Sequence, residues 1–392
     1  EPNACQFERI DLKTMSCMLL TRRQLLAGAT ASALAACAPV RPSAPVAGRL
    51  RLIGEATLPH RLAFQGAPVG GLSALDFDAA TGVWYALSDD RSDFAPARLY
   101  TLRLPLDAQG LGTPELLDMV TLRQPGGLPY PSRRQGGEVA DPEGLRFVPR
   151  RRTLLWTSEG DGRLELDPFL HEISLDGQHR RAFSLPGHLR MQATADTGPR
   201  DNLTLEGLAL TPDGHRVWVA MEAALRQDGP VPAVGQPGGP CRFTALAMDS
   251  GRALLQRAYV PDPIPRAPLV PGTFADNGVS EVLMVDNHRM LVLERAYMTG
   301  VGNSLRLYQV DTRDGRNTLD QPQLLPGQYQ PMPKTLVADF SQLGLQRLDN
   351  TEGMAWGPVL PNGHRTLVCV SDDNFNPMQV TQFVAFEYLE TP

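Results

Sequence analysis

Lysine is nearly absent from this 392-residue chain: Lys13 and Lys334 are the only two among 37 basic residues. Positive charge is carried by arginine, and coding bias accounts for such a skew without a phosphate site. The net charge of -6 argues against a nucleic-acid surface, which is usually strongly basic. Five cysteines form no CxxC pair and no Cys/His cluster, so zinc chemistry has no ligand set. The seven histidines show neither triad nor metal-ligand spacing. A G-x-S-x-G elbow and a P-loop are both missing, which removes the usual serine-hydrolase and nucleotide signatures. No amphipathic helical period supports a parallel α/β fold. The longest uncharged, small-to-apolar run near the start, Leu25 to Ala36, falls short of the about 20 residues that span a bilayer.

What is present is ordinary globular material, 42% hydrophobic and 20% charged, with 36 glycines and 35 prolines favouring turns over long helices. Arg22-Arg23 before the run Leu25–Ala36 reads as an export leader and resembles a twin-arginine signal. Leu34-Ala35-Ala36-Cys37 looks like a bacterial lipobox, which would make Cys37 a lipid-modified first residue. The expected organisation is a leader over 1–36, a tether over 37–47 and one domain over 48–392. The expected location is periplasmic or cell-envelope, with the membrane reached only through a lipid at Cys37. Cys241 and Cys369 are then the only pair able to form a disulfide, and buried free thiols are equally consistent.

The body carries a repeat. Leu72-Ser73-Ala74-Leu75, Pro142-Glu143-Gly144-Leu145, Leu205-Glu206-Gly207-Leu208, Ser280-Glu281-Val282 and Thr351-Glu352-Gly353-Met354 each open a short apolar strand. Each is followed by a turn, a second apolar strand and a terminal carboxylate, recurring at roughly 63–75 residues. Thr211-Pro212-Asp213-Gly214 and Leu360-Pro361-Asn362-Gly363 place Gly where φ must be positive. The alternation predicts a half-buried first strand beside a second buried on both faces. Further strands are expected at Ala97–Leu104, Phe169–Leu175 and Ser304–Val310. The fold class is all-β, a β-propeller with five recognisable blade repeats. A sixth blade has room within 225–275, or could be closed from strands at both termini.

In a propeller the first strand of each blade lines the central channel. Glu143, Glu206, Glu281 and Glu352 would then converge at one mouth, with Ser73 in the matching place of the first unit. Converging carboxylates repel unless protonated or neutralised by a cation, and oxygen-only ligands favour calcium. These four are the expected metal ligands, with Glu206 and Glu352 as candidate general bases. A purely architectural role for the Glu-Gly pairs is the competing reading. Asp89, Asp90, Glu159, Glu222, Glu294, Asp372 and Asp373 end the second strands and either share that mouth or cap loops. Arg91, Arg134 and Arg295 stand beside acidic positions and are candidates for holding an anionic substrate.

The ordered set of Leu87-Ser88-Asp89-Asp90, Asp141-Pro142-Glu143-Gly144-Leu145, Trp156-Thr157-Ser158-Glu159-Gly160, Leu205-Glu206-Gly207-Leu208 and Asp349-Asn350-Thr351-Glu352-Gly353 resembles the bacterial phytase-like family with esterase-like activity. The resemblance implies an exported propeller that hydrolyses esters or phosphoesters, and true propeller phytases add calcium at an acidic mouth. The expected partner is a small ester or phosphoester, bound by a monomer. Two alternatives stand beside it: a lactonase-like propeller, with Asn202, Asn277 and Asn350 as further ligands, and a non-catalytic binding or scaffold propeller.

Overall fold

Alternating apolar residues closed by Gly-containing turns build hairpins, and here the hairpins stack into blades. In the computed structural model, residues 46–390 are described apart from 48 and 192–195. The leader, the lipobox and Cys37 lie outside the described residues. Among those described there is no α-helix; three short 3-10 turns are the only helical pieces.

Five antiparallel sheets make five blades, each running outward from its first strand. Blade 1 holds Leu72–Asp78, Val83–Ser88, Arg98–Arg103 and Glu115–Thr121. Blade 2 holds Pro142–Val148, Thr153–Ser158, Phe169–Ser174 and His179–Ala182. Blade 3 is Leu205–Leu210, Arg216–Met221, Cys241–Ala247 and Ala253–Tyr259. Blade 4 is Ala275–Met284, Arg289–Met298, Gly302–Asp311 and Lys334–Asp339. Blade 5 takes Asn350–Val359, Arg365–Asp372 and Thr381–Tyr388, then Leu50–Leu58 and Val46–Ala47 from the other end of the chain. The ring is thus closed by a strand from before blade 1 hydrogen-bonded to the last strand.

There is no sixth blade in 225–275. Cys241–Ala247 pairs in register with Arg216–Ala220, so those strands complete blade 3. The 229–240 run before them is a loop, as its Pro and Gly content implies. Gly214 and Gly363 take φ of 69° and 86°, and each donates its N–H to the carbonyl three residues back at 2.8 Å. The expected strands at Ala97–Leu104, Phe169–Leu175 and Ser304–Val310 are the third strands of blades 1, 2 and 4.

The first strands depart from the half-buried expectation: Pro142–Val148 is buried throughout. Five such strands crowd the axis, and the glycine after each acidic anchor lets them approach. A Cβ at Gly353 would lie 2.9 Å from the Ala74 Cα of the next blade, and one at Gly207 would lie 3.1 Å from the Val282 nitrogen. Between blades, the second strands supply the large core residues. Trp84, Trp156 and Trp218, one in each second strand of blades 1 to 3, are each about 1% exposed or less. Cys241 and Cys369 are buried and free.

Arg146 plugs the axis. Its guanidinium donates to Leu75 O at 3.2 Å, Val282 O at 2.9 Å and Met354 O at 3.1 Å, so it ties blade 2 to blades 1, 4 and 5. It also pairs with Glu281 at 2.8 Å, and both side chains are almost fully buried.

Candidate functional site

The first and second strands of a blade pair antiparallel, so the start of one and the end of the other reach the same mouth. In every first strand the ladder slips by a residue at the anchor. The slips fall at Ser73, between Pro142 and Leu145, at Glu206, at Ser280 and at Glu352. A bulge frees its extra residue from the ladder and re-aims its side chain. Glu143, Glu206 and Glu352 all line one cavity of about 860 Å³ at this mouth.

Glu281 does not join them. The bulged residue of blade 4 is Ser280, so Glu281 sits where the other repeats have Gly or Ala. A one-residue slip turns a side chain to the other face of a strand. Its carboxylate accepts the N–H groups of Leu208 and Val282, both at 2.9 Å, besides pairing with Arg146. Burial outweighs Arg146 and these hydrogen bonds, leaving its pKa at about 7. Ser73 and Ser280 are the two non-acidic anchors, and each hydroxyl donates to a carbonyl of the next blade, Glu143 O at 3.1 Å and Thr351 O at 3.3 Å.

A second tier comes from the second strands, at the residue that follows the partner of the position just before each bulge. Those partners are Ser88, Ser158, Met221, Glu294 and Ser371, and Asp89, Glu159, Glu222, Arg295 and Asp372 follow them. Four carboxylates and one guanidinium therefore ring the mouth at equivalent places. The remaining strand-end acids are used elsewhere. Asp90 binds Arg98 at 2.6 Å, Glu294 accepts from the Tyr259 hydroxyl at 2.6 Å, and Asp373 accepts the Gly71 N–H at 2.9 Å. Asp141, from the quoted Asp-Pro-Glu-Gly segment, is an additional member that the repeat anchors do not mark.

Positive charge in this group is scarce and already engaged. Arg91 donates from Nε to Asp141 at 2.6 Å and also reaches Asn202. Arg295 lies 3.4 Å from Glu222 and 3.7 Å from Glu352. Arg134 is exposed and does not line the cavity; its neighbour Arg133 pairs with Asp161 at 2.6 Å. Asn350 donates to Glu352 at 2.9 Å and to Asp372 at 3.2 Å, holding two carboxylates together. Asn277 is turned to Glu294 at 3.0 Å, away from the mouth.

Crowding shows in the proton affinities. Burial, followed by the charge of Glu222, pushes Glu159 up from 4.5 to about 8. Burial does the same to Glu222, to about 8, against the opposing pull of Arg295. Burial and neighbouring acids hold Asp89, Glu143, Glu206 and Asp372 well above the usual carboxylate range. Asp141 is raised likewise, chiefly by burial and despite Arg91, and Glu352 is raised by burial against Arg295. Burial opposes the Arg295 charge, yet Glu352 and Glu222 raise its pKa further.

Two sets of three carboxylates bring ligand oxygens within 4.8 Å of one another: Asp141, Glu143 and Glu159, and Glu159, Glu206 and Glu222. The Glu143 and Glu206 side chains, 8% and 7% exposed, have no hydrogen bond or ion pair among the described residues. Buried carboxylates left unpaired are costly. An all-oxygen donor set of this kind fits a hard divalent cation such as calcium.

Three solved structures resemble the chain at low identity, with TM-scores of 0.35 to 0.43. The Dos1 propeller is 8% identical with a TM-score of 0.35, covering 89% of this chain and 94% of that one. A periplasmic gluconolactonase of Pseudomonas aeruginosa is 13% identical at TM-score 0.35, covering 83% and 88%. The catalytic domain of the Coprinopsis cinerea GH62 α-L-arabinofuranosidase is 9% identical at 0.43, covering 88% and 98%. No curated protein matches the chain. Residues 67–375 match the phytase-like family, described by the esterase-like activity of phytase, and the chain belongs to that family.

Proposed function

We propose that this chain is a hydrolase of ester or phosphoester bonds whose active site is the acidic mouth, working with a bound divalent cation, calcium foremost. The observation that carries the reading is the unpaired burial of Glu143 and Glu206 within a cluster of raised proton affinity. Asp141, Glu143, Glu159, Glu206 and Glu222 would hold the cation. Bound there, it would supply a Lewis acid for the carbonyl or phosphoryl oxygen of the scissile bond. Glu206 or Glu352, the latter outside that ligand set and oriented by Asn350 at 2.9 Å, accepts a proton from the attacking water. The same carboxyl then returns that proton to the leaving alkoxide as its bond to the acyl or phosphoryl group breaks. Arg295, held by Glu222 and Glu352, stands where negative charge would develop.

We propose further that the chain is exported and anchored to the cell envelope through Cys37, on the support of the segment Arg22–Cys37 alone. The catalytic reading is tested with purified protein on a phosphomonoester, a carboxylic ester and a lactone in parallel. The lactone is included because Asn202 and Asn350 line the same cavity. Turnover of one class that is lost on chelation, restored by calcium and lost in Glu206→Gln with the fold intact supports it. Stabilisation by calcium without turnover of any class would instead indicate a binding propeller.

A further inference from the structure

The mouth is not uniformly acidic. Blade 4 has first, second and third strands of 10 residues, against 6 or 7 for those of blades 1 to 3. Its extra length lies at the mouth end, where Phe274 precedes the first strand and Tyr297 is the last residue but one of the second. Phe274 and Tyr297 pack with centroids 6.2 Å apart, and both line the acidic cavity. The Phe274 carbonyl is pinned by the Thr299 N–H at 3.1 Å and its hydroxyl at 2.8 Å. Met378, in the loop between the second and third strands of the adjacent blade 5, also lines the cavity, from a turn fixed by Asn376, whose side chain accepts the Met378 N–H at 3.0 Å. Phe274 is 64% exposed and Met378 is 75% exposed.

Other apolar side chains on this surface are as bare, but these two line the polar cavity itself. They offer an apolar ligand group a place to lose water beside the carboxylates. The charges below disfavour a polyanion. Arg91 and Arg295 are both engaged by carboxylates, and eight acids surround them. One or two divalent cations would reduce that excess without leaving positive charge over for several phosphates.

From this, and resting on the hydrolase reading above, we infer that the substrate is a carboxylic ester carrying an alkyl or aryl group that lies on Phe274, Tyr297 and Met378. Hydrolysis adds water across the acyl C–O bond: the hydroxyl goes to the acyl carbon and a proton to the departing alkoxide. The apolar group stays on the rim throughout and sets affinity.

The test uses 4-nitrophenyl esters from acetate to octanoate at fixed calcium, alongside 4-nitrophenyl phosphate and inositol hexakisphosphate. For the unmodified protein kcat/KM should climb by up to about fourfold per added methylene over the first few carbons. In Phe274→Ser combined with Met378→Ser, that climb should flatten, mostly through KM, while stabilisation by calcium persists. Both positions are exposed, so the fold should tolerate the change. Ester turnover that ignores chain length, or preferred release of phosphate, overturns the apolar subsite and leaves the hydrolase reading standing. No turnover of any class overturns both.

Discussion

Replacing Glu159 with Gln should stabilise the cation-free protein, by an amount that grows as pH rises from about 4.5 to about 8. Glu159 is shared by both carboxylate triads and is 1% exposed. Its carboxyl rises from 4.5 to about 8 on folding, first through burial and then through Glu222. The folded state therefore holds its proton more tightly than the unfolded state. Stability from this group is fully present below about pH 4.5 and is lost as pH rises towards 8. At 1.36 kcal/mol per unit the full shift corresponds to roughly 5 kcal/mol. The neighbouring carboxyls share that load, so about 2–5 kcal/mol is expected. Gln keeps an oxygen for the Thr204 N–H, which Glu159 now accepts at 2.5 Å, and it carries no charge. The assay is urea unfolding in chelator at pH 5 and pH 8.5. The two proteins should differ by less than about 1 kcal/mol at pH 5, and the variant should be clearly the more stable at pH 8.5. With calcium at about a thousand times its Kd the original protein should gain ~4 kcal/mol and the variant far less, reversing the order. Equal stability at both pH values would refute the argument that Glu159 sits in a desolvated acidic cluster.

Arg146→Met should cost about 3–5 kcal/mol, because it strands the buried Glu281 charge and three carbonyls. Combining it with Glu281→Gln should recover part of that loss in thermal unfolding, and an additive double variant would contradict the axial plug. A chain beginning after residue 59 should lose its cooperative melt, since Leu50–Leu58 covers the last strand of blade 5 and buries Leu50 and Leu58. A two-state transition at an unchanged midpoint would show that this closure is dispensable.

The blades were legible because local chemistry repeats: Pro-Asn-Gly and Pro-Asp-Gly turns, apolar second strands and glycine after acidic anchors all report on neighbours close in sequence. The sixth blade was not excluded, since nothing in 225–275 says which earlier strand Cys241–Ala247 pairs with. Glu281 shows the cost of aligning repeats by carboxylate. Aligning Val279 with Leu205 and Val282 with Leu208 puts Ser280 at the anchor and Glu281 at the glycine place, as the bulges do. The same alignment sets Arg295 against Glu159 and Glu222, and so marks the second tier. Arg146 left only one trace, a charge inside the apolar run Leu145–Val148. Its partners come from three other blades and meet only when the ring closes.

The central claim is that the mouth holds a divalent cation through its buried carboxylates. Titration of calcium into chelator-stripped protein by calorimetry at pH 8 tests it most directly. Saturable binding that Glu159→Gln and Glu206→Gln each weaken by at least tenfold, with both variants folded, is the expected result. Absence of binding to the unmodified protein, or binding that both substitutions leave unchanged, would contradict it.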